Sequence, residues 1–176
     1  MKNTKIEWCD HTVNFWWGCS EVSEACQNCY AREIAKRFKK DCWGKSARLF
    51  RLAEAIEELS RLERSAIKRE AVETVFINSM GDFFDERVAP ETRISIWSTL
   101  KAFKHLQFLI LTKRPKVMNN HIVRYSSYIP QNVHFGITAE NQRRLDERMA
   151  ELAGFKGKVF LLSLIHISEP TRLLSI

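Results

Sequence analysis

From Thr74 onward the chain repeats one unit, a short apolar run followed by a stretch with helical spacing. The runs are Thr74–Ser79, Leu106–Leu111, Asn132–Ile137 and Lys158–Leu161. Between them lie Pro90–Lys104, a stretch beginning near Pro115, and Ala139–Ala153. In the first interval Ile94, Trp97, Leu100 and Phe103 recur at three- and four-residue spacing and share one helical stripe. Strands that are apolar throughout, not at alternate positions, are expected to be covered on both faces, as in a parallel sheet between helices. Units of about thirty residues leave two architectures, a wound sheet or a (β/α) barrel. The expected fold is therefore α/β: a partial (β/α) barrel of parallel strands with outer helices, one domain over residues 1–161. Upstream, the spacing of Leu49, Leu52, Ile56 and Leu59 predicts a helix over Ser46–Glu70 with Ser46 as N-cap. A shorter helix is expected over Ala31–Lys39, with Ile34 and Phe38 on one face.

In folds of this kind, ligands gather at the carboxyl ends of the strands. Three polar loops occupy those positions. Ser79, Gly81 and Asp82 follow the first strand; there a glycine permits close backbone approach and a carboxylate suits an ammonium or a ribose hydroxyl. Lys113 and Arg114 precede Pro115 and suit a carboxylate or phosphate at a helix N-terminus. Glu140 and Asn141 follow the third strand, as ligand contacts or as the start of the next helix, with Thr138 or a neighbour as cap. His105 and His121 stand alone on helical stretches and read as surface residues.

Before these units comes a compact set of soft ligands, Cys19, Cys26 and Cys29. A structural zinc site closes its tetrahedron with four protein ligands. Three cysteines leave one position open, the arrangement in which a 4Fe–4S cluster keeps one iron free for a small molecule. Zinc remains the alternative, with Cys9, His11 or Cys42 as fourth ligand; otherwise Cys9 and Cys42 read as small buried hydrophobes. Trp8, Phe15, Trp16 and Trp17 crowd the approach to Cys19, either to limit solvent access or to plug one end of a barrel.

Composition narrows the setting. Hydrophobic residues make up 45% and charged residues 28% of the 176, as in a globular chain. No apolar run is long enough to span a bilayer, and the first residues lack the apolar core of a signal peptide. A cytoplasmic location is expected, where cysteines serve metals more than crosslinks. The net charge of +7 is compatible with an anionic partner such as nucleic acid, although the basic residues read as scattered among acidic ones. At the C-terminus, Leu162–Arg172 reads as a translated adapter from sequencing-library preparation, so 162–176 is expected to be a non-native tail on a truncated barrel, and His166 is set aside. The other reading of that segment is a genuine strand ending in a proline turn.

Taken together, Ile6-Glu-Trp8, Asn14 through Trp17-Gly-Cys19, Cys26-x-x-Cys29-Tyr-Ala31, Ser79-Met-Gly-Asp82 with Phe84-Asp85, Leu111-Thr-Lys-Arg-Pro115, and Asn132-Val133 with Gly136 resemble the three-cysteine-motif proteins of phages and bacteria. Cys9 departs from that pattern, where threonine is usual. The family is similar in turn to the radical S-adenosylmethionine enzymes. Those hold a 4Fe–4S cluster on three cysteines, most often spaced C-x3-C-x2-C, and cleave S-adenosylmethionine to a 5′-deoxyadenosyl radical. The resemblance implies a cluster on Cys19, Cys26 and Cys29, and a Ser79–Asp82 loop that contacts the methionine amino group of S-adenosylmethionine. It also implies a dedicated three-cysteine-motif partner protein. The first gap here is six residues instead of three. The alternative function is a zinc-stabilised nucleic-acid-binding module of a phage or mobile element.

Overall fold

The computed structural model describes residues 4, 6–155, 157–163 and 173–175. Its centre is an open six-stranded sheet. In chain order the strands are β1 (His11–Val13), β4 (Glu73–Ile77), β5 (Leu106–Thr112), β6 (Val133–Ala139), β7 (Val159–Ser163) and β8 (Leu173–Ser175), and they lie side by side in that order. The first five are parallel and β8 runs antiparallel against β7. This is the expected α/β class, as an open sheet of barrel-like order and not a closed barrel. Strand β7 continues through Ser163; residues 164–172, most of the adapter-like segment, lie outside the described residues.

Each connection between successive parallel strands from β4 to β7 carries a helix: α3 (Pro90–Leu100), α4 (Pro115–Tyr125) and α5 (Gln142–Ala150), while α2 (Ala55–Lys68) precedes β4. Pro90 and Pro115 sit at the first helical position, where the missing N–H costs nothing. Asn141 caps α5 by accepting from the Arg144 N–H at 2.9 Å. That helix therefore starts at Gln142 and not at Ala139, and of Thr138 and its neighbours the cap is Asn141.

The sheet is not evenly covered. Val75, Ile77, Phe108, Ile110, Phe135, Ile137 and Leu161 point to one face, where Leu59, Leu62, Trp97, Leu100 and Met118 of the helices pack with them in a single core. Phe76, Leu111 and Leu162 point to the other face, where Cys9, Ile6, Trp8, Leu109 and Phe160 pack with them in a smaller cluster. The expectation of helices on both faces is thus corrected. Helices α2 to α4 insert their apolar stripes on one side, and the second face keeps its apolar residues for a cavity.

The segment before α2 also departs from expectation. The helix begins at Ala55, nine residues beyond Ser46. Phe50–Arg51 form a strand, β3, paired antiparallel with β2 (Trp16–Trp17), and the Leu52 N–H donates to the Phe15 carbonyl at 3.0 Å. Long-range pairing with the tryptophan segment overrides the local helical spacing. In α1 (Tyr30–Arg37) the buried side chains are Ala31 and Ala35, and Phe38, expected on the apolar face, is 63% exposed.

Candidate metal and cofactor cavity

At the carboxyl ends of β4, β5, β6 and β7 the uncovered face closes into a cavity of about 420 Å³. That is the size of a small-molecule site. Cys19, Cys26 and Cys29 all line it, together with Ser79, Gly81, Asp82, Lys113 and Arg114. Ile6, Trp8, Trp43, Phe76, Leu111 and Leu162 form an apolar wall.

Cys19 is placed by backbone contact at two glycines. The Gly18 N–H donates to the Met80 carbonyl at 3.0 Å, and Gly18 and Gly81 form a parallel bridge. A Cβ at Gly81 would stand 2.6 Å from the Gly18 carbonyl oxygen. Gly18 has φ +118°, and a Cβ there would meet the Cys42 carbonyl oxygen at 2.4 Å. Asparagines complete the seam. Asn14 Oδ1 accepts from the Met80 N–H and Asn78 Oδ1 from the Phe15 N–H, each at 2.8 Å.

The next turn is locked by charge. Arg114 Nη2 donates to the Ser20 carbonyl and to Ser20 Oγ, both at 2.7 Å, while Nη1 reaches Asp82 Oδ2 at 3.1 Å and Cys19 Sγ at 3.7 Å. Asp82 also accepts from Thr112 Oγ1 and from the backbone N–H groups of Phe84 and Lys113. Those four bonds use the acceptor sites of a carboxylate. Asp85 accepts from the Ser20 N–H at 3.0 Å and pairs with Arg87 at 2.9 Å. Burial opposes charge on Arg114, but Asp82, Cys19 and Asp85 outweigh it and hold the guanidinium protonated well above its usual range. Burial also works against ionised Asp85, yet its bonds from Arg87 bring the carboxyl down to about 2. Burial and then the Asp82 charge push the Cys19 thiol up to about 12 against the pull of Arg114.

Asp82 and Arg114, expected as ligand contacts, are therefore spent on each other and on the cysteine loop. Lys113 is different: it lines the cavity, and among the described residues its ammonium has no carboxylate partner. Glu140 and Asn141 do not line the cavity. Glu140 pairs with Arg148, and Asn141 Nδ2 donates to Glu24 at 2.8 Å. Glu24 also meets Arg144 at 2.6 Å, which ties the tight helical turn Glu24–Asn28, and Cys26 within it, to the start of α5. Cys29 is the N-cap position of α1, and the next residue, Tyr30, donates to the Ser79 carbonyl at 2.8 Å. The three cysteines thus hang from three separate anchors on one rim.

Cys9 and Cys42 are buried apart from the cavity lining, and His11 is bound to Glu73 at 2.8 Å. Of the four aromatic residues expected near Cys19, Trp8 lines the cavity, whereas Trp16 stacks on Phe83 in the core. His121 is not a surface residue: it is buried and accepts from Trp97 Nε1 at 3.2 Å. Gly18, Ser20, Asn14 and Tyr30 carry no chemistry that a spacing argument would notice. Their signal is positional, since each stands within a few residues of the triad or of β1.

A sequence model of DUF5131, described as a protein of unknown function, matches residues 3–171. The chain belongs to that family. The match spans the cysteine loop and all three strand-end loops of the cavity rim. No curated protein and no solved structure matched the chain.

The donor set fits an iron–sulfur cluster in its chemistry, three thiols exposed to one cavity among apolar and aromatic residues. Among the described residues, no three His, Cys, Asp or Glu side chains converge as the ligands of a single ion would. A tetrahedral zinc gathers every sulfur at about 2.3 Å from one centre.

Proposed function

We propose that this chain is an iron–sulfur protein of the radical S-adenosylmethionine type, with Cys19, Cys26 and Cys29 as the thiolate ligands of a 4Fe–4S cluster. The observation that carries the reading is that all three thiols line one cavity of about 420 Å³ at the carboxyl rim of a parallel sheet. When bound, the cluster would supply electron transfer and one iron with an open coordination position. Each neighbouring residue then has a defined task. Arg114 fixes the Cys19 loop and sets a positive charge beside its sulfur. Lys113 presents an unpaired ammonium to the carboxylate or phosphate of a ligand. Trp8, Trp43, Phe76 and Leu111 exclude water, and the three rings offer planar surfaces to a ring such as adenine.

Anaerobic reconstitution with iron and sulfide, followed by iron counting and spectra with and without S-adenosylmethionine, tests the proposal. About four irons per chain are expected, together with a spectral change on adding S-adenosylmethionine. Lys113→Ala should keep the iron and weaken S-adenosylmethionine binding about tenfold, the scale of one charge-assisted hydrogen bond. Stoichiometric zinc with no iron uptake would instead establish the zinc module.

A further inference from the structure

We propose that the face built from the C-terminal end of α1 and the β2–β3 ribbon binds single-stranded nucleic acid. Residues 36–51 hold seven lysines and arginines against one acidic residue, Asp41, which is six of the chain's seven net positive charges. The charge is therefore gathered and not scattered. The fold brings it to one place: Lys39, Lys40, Arg48 and Arg51 line a groove of about 430 Å³. Among the described residues none of these four has a carboxylate partner, unlike Arg114 or Arg144. A groove with several unpaired cations is a track for a polyanion.

One aromatic ring lines this groove and two more stand beside it. Phe38 is the C-cap residue of α1 and is 63% exposed, and Lys39 follows it at φ +54° in a left-handed turn. Phe50 lines the groove, is 38% exposed, and carries the Lys40 ammonium 3.9 Å from its ring centroid. Trp17 lies edge-on to both rings, at 5.7 Å from Phe38 and 6.5 Å from Phe50. Exposed rings set among unpaired cations let unpaired bases stack while phosphates run past lysine and arginine. A duplex keeps its base faces inside and cannot use such rings.

The groove also adjoins the cysteine cavity. Cys42 lines the groove and the next residue, Trp43, lines the cavity. A strand lying in the groove would run beside the wall of the proposed reaction site. The binding face itself needs no cluster, so it stands or falls separately from the proposed activity.

Fluorescence anisotropy with a labelled oligo-dT of about 20 nucleotides, titrated at several salt concentrations, tests this. The same sequence as a duplex and phosphatidylserine vesicles serve as competing probes. Binding to the single strand is expected to weaken linearly on a log–log salt plot. The double change Lys39→Glu with Arg51→Glu should lower affinity at least about tenfold and make that plot shallower. Phe38→Ala, at an exposed ring, should lower affinity about fivefold or more and leave the salt slope in place. Lys101→Glu, outside the groove, should change neither. Thermal melting confirms that each variant folds, and Phe38→Ala with Lys39→Glu alone decides the matter if the double variant does not. The proposal is overturned if the parent chain shows no salt-dependent binding, if the groove variants bind like the parent, or if duplex or vesicles bind more tightly through the same residues.

Discussion

His121 is the clearest case of one side chain whose protonation the fold controls. Burial, with the Arg93 charge nearby, brings its pKa from the usual 6.5 to about 4, because the neutral ring accepts from Trp97 and a charged one would have to be desolvated. Between those two values the unfolded chain binds a proton that the folded chain does not. The contribution of His121 is therefore complete above pH 6.5 and is lost as the pH falls toward 4. Urea unfolding at pH 7 and pH 5 should show the decline, of at most about 2 kcal/mol over that interval. His121→Gln, which keeps an acceptor for Trp97 and does not titrate, should flatten it. Equal slopes for the two proteins would exclude this origin. The sequence offered no hint of this role, since a lone histidine within a helix does not reveal which side faces the core. The same holds for Asp82 and Arg114. Their placement on the rim was legible from strand-end position, but their mutual consumption depended on geometry that only the packed loops supply.

The short connections between strands were the least legible part of the fold, and the cysteine loop depends on them. Helices α3 and α4 and strands β4 to β7 announced themselves through apolar runs and spacing. The β2–β3 ribbon did not, because two-residue strands have no period, and the helical rhythm of Leu49, Leu52 and Ile56 concealed it. Gly18 makes the loop's dependence measurable. Gly44 has φ +105° with open space around it, whereas Gly18 adds a clash with the Cys42 carbonyl to a similar strain. Gly44→Ala should cost about 1 kcal/mol in chemical denaturation, and Gly18→Ala more than about 2. Similar losses for both would mean that the approach of Gly18 to the Cys42 carbonyl is not tight. The other tether, Glu24 with Asn141 and Arg144, is exposed and adds little to global stability. Glu24→Ala should instead speed amide exchange over residues 22–28 while leaving the melting temperature within a degree or two. A large drop in that temperature would count against a purely local tether.

Across the molecule, the stabilising core and the proposed ligand cavity lie on opposite sides of one sheet. Leu59 is fully buried in the helix-covered core, so Leu59→Ala should cost about 2–5 kcal/mol. Leu111 is almost as buried but borders the cavity, where truncation enlarges an existing space. Leu111→Ala should cost less than half as much, as read from parallel denaturant titrations. Equal costs would show that the cavity-side residues also hold the fold. Stability and recognition would then be written in alternate letters of the same strands, since Ile110 faces the helices while Leu111 faces the cavity. Changing every second residue of β5 or β7 could retune what the chain accepts without disturbing how it folds. A half-coated sheet is in that sense a chassis, and variation among relatives in ligand choice should fall on the cavity-facing register of each strand, that of Phe76, Leu111 and Leu162, while the helix-facing register stays fixed.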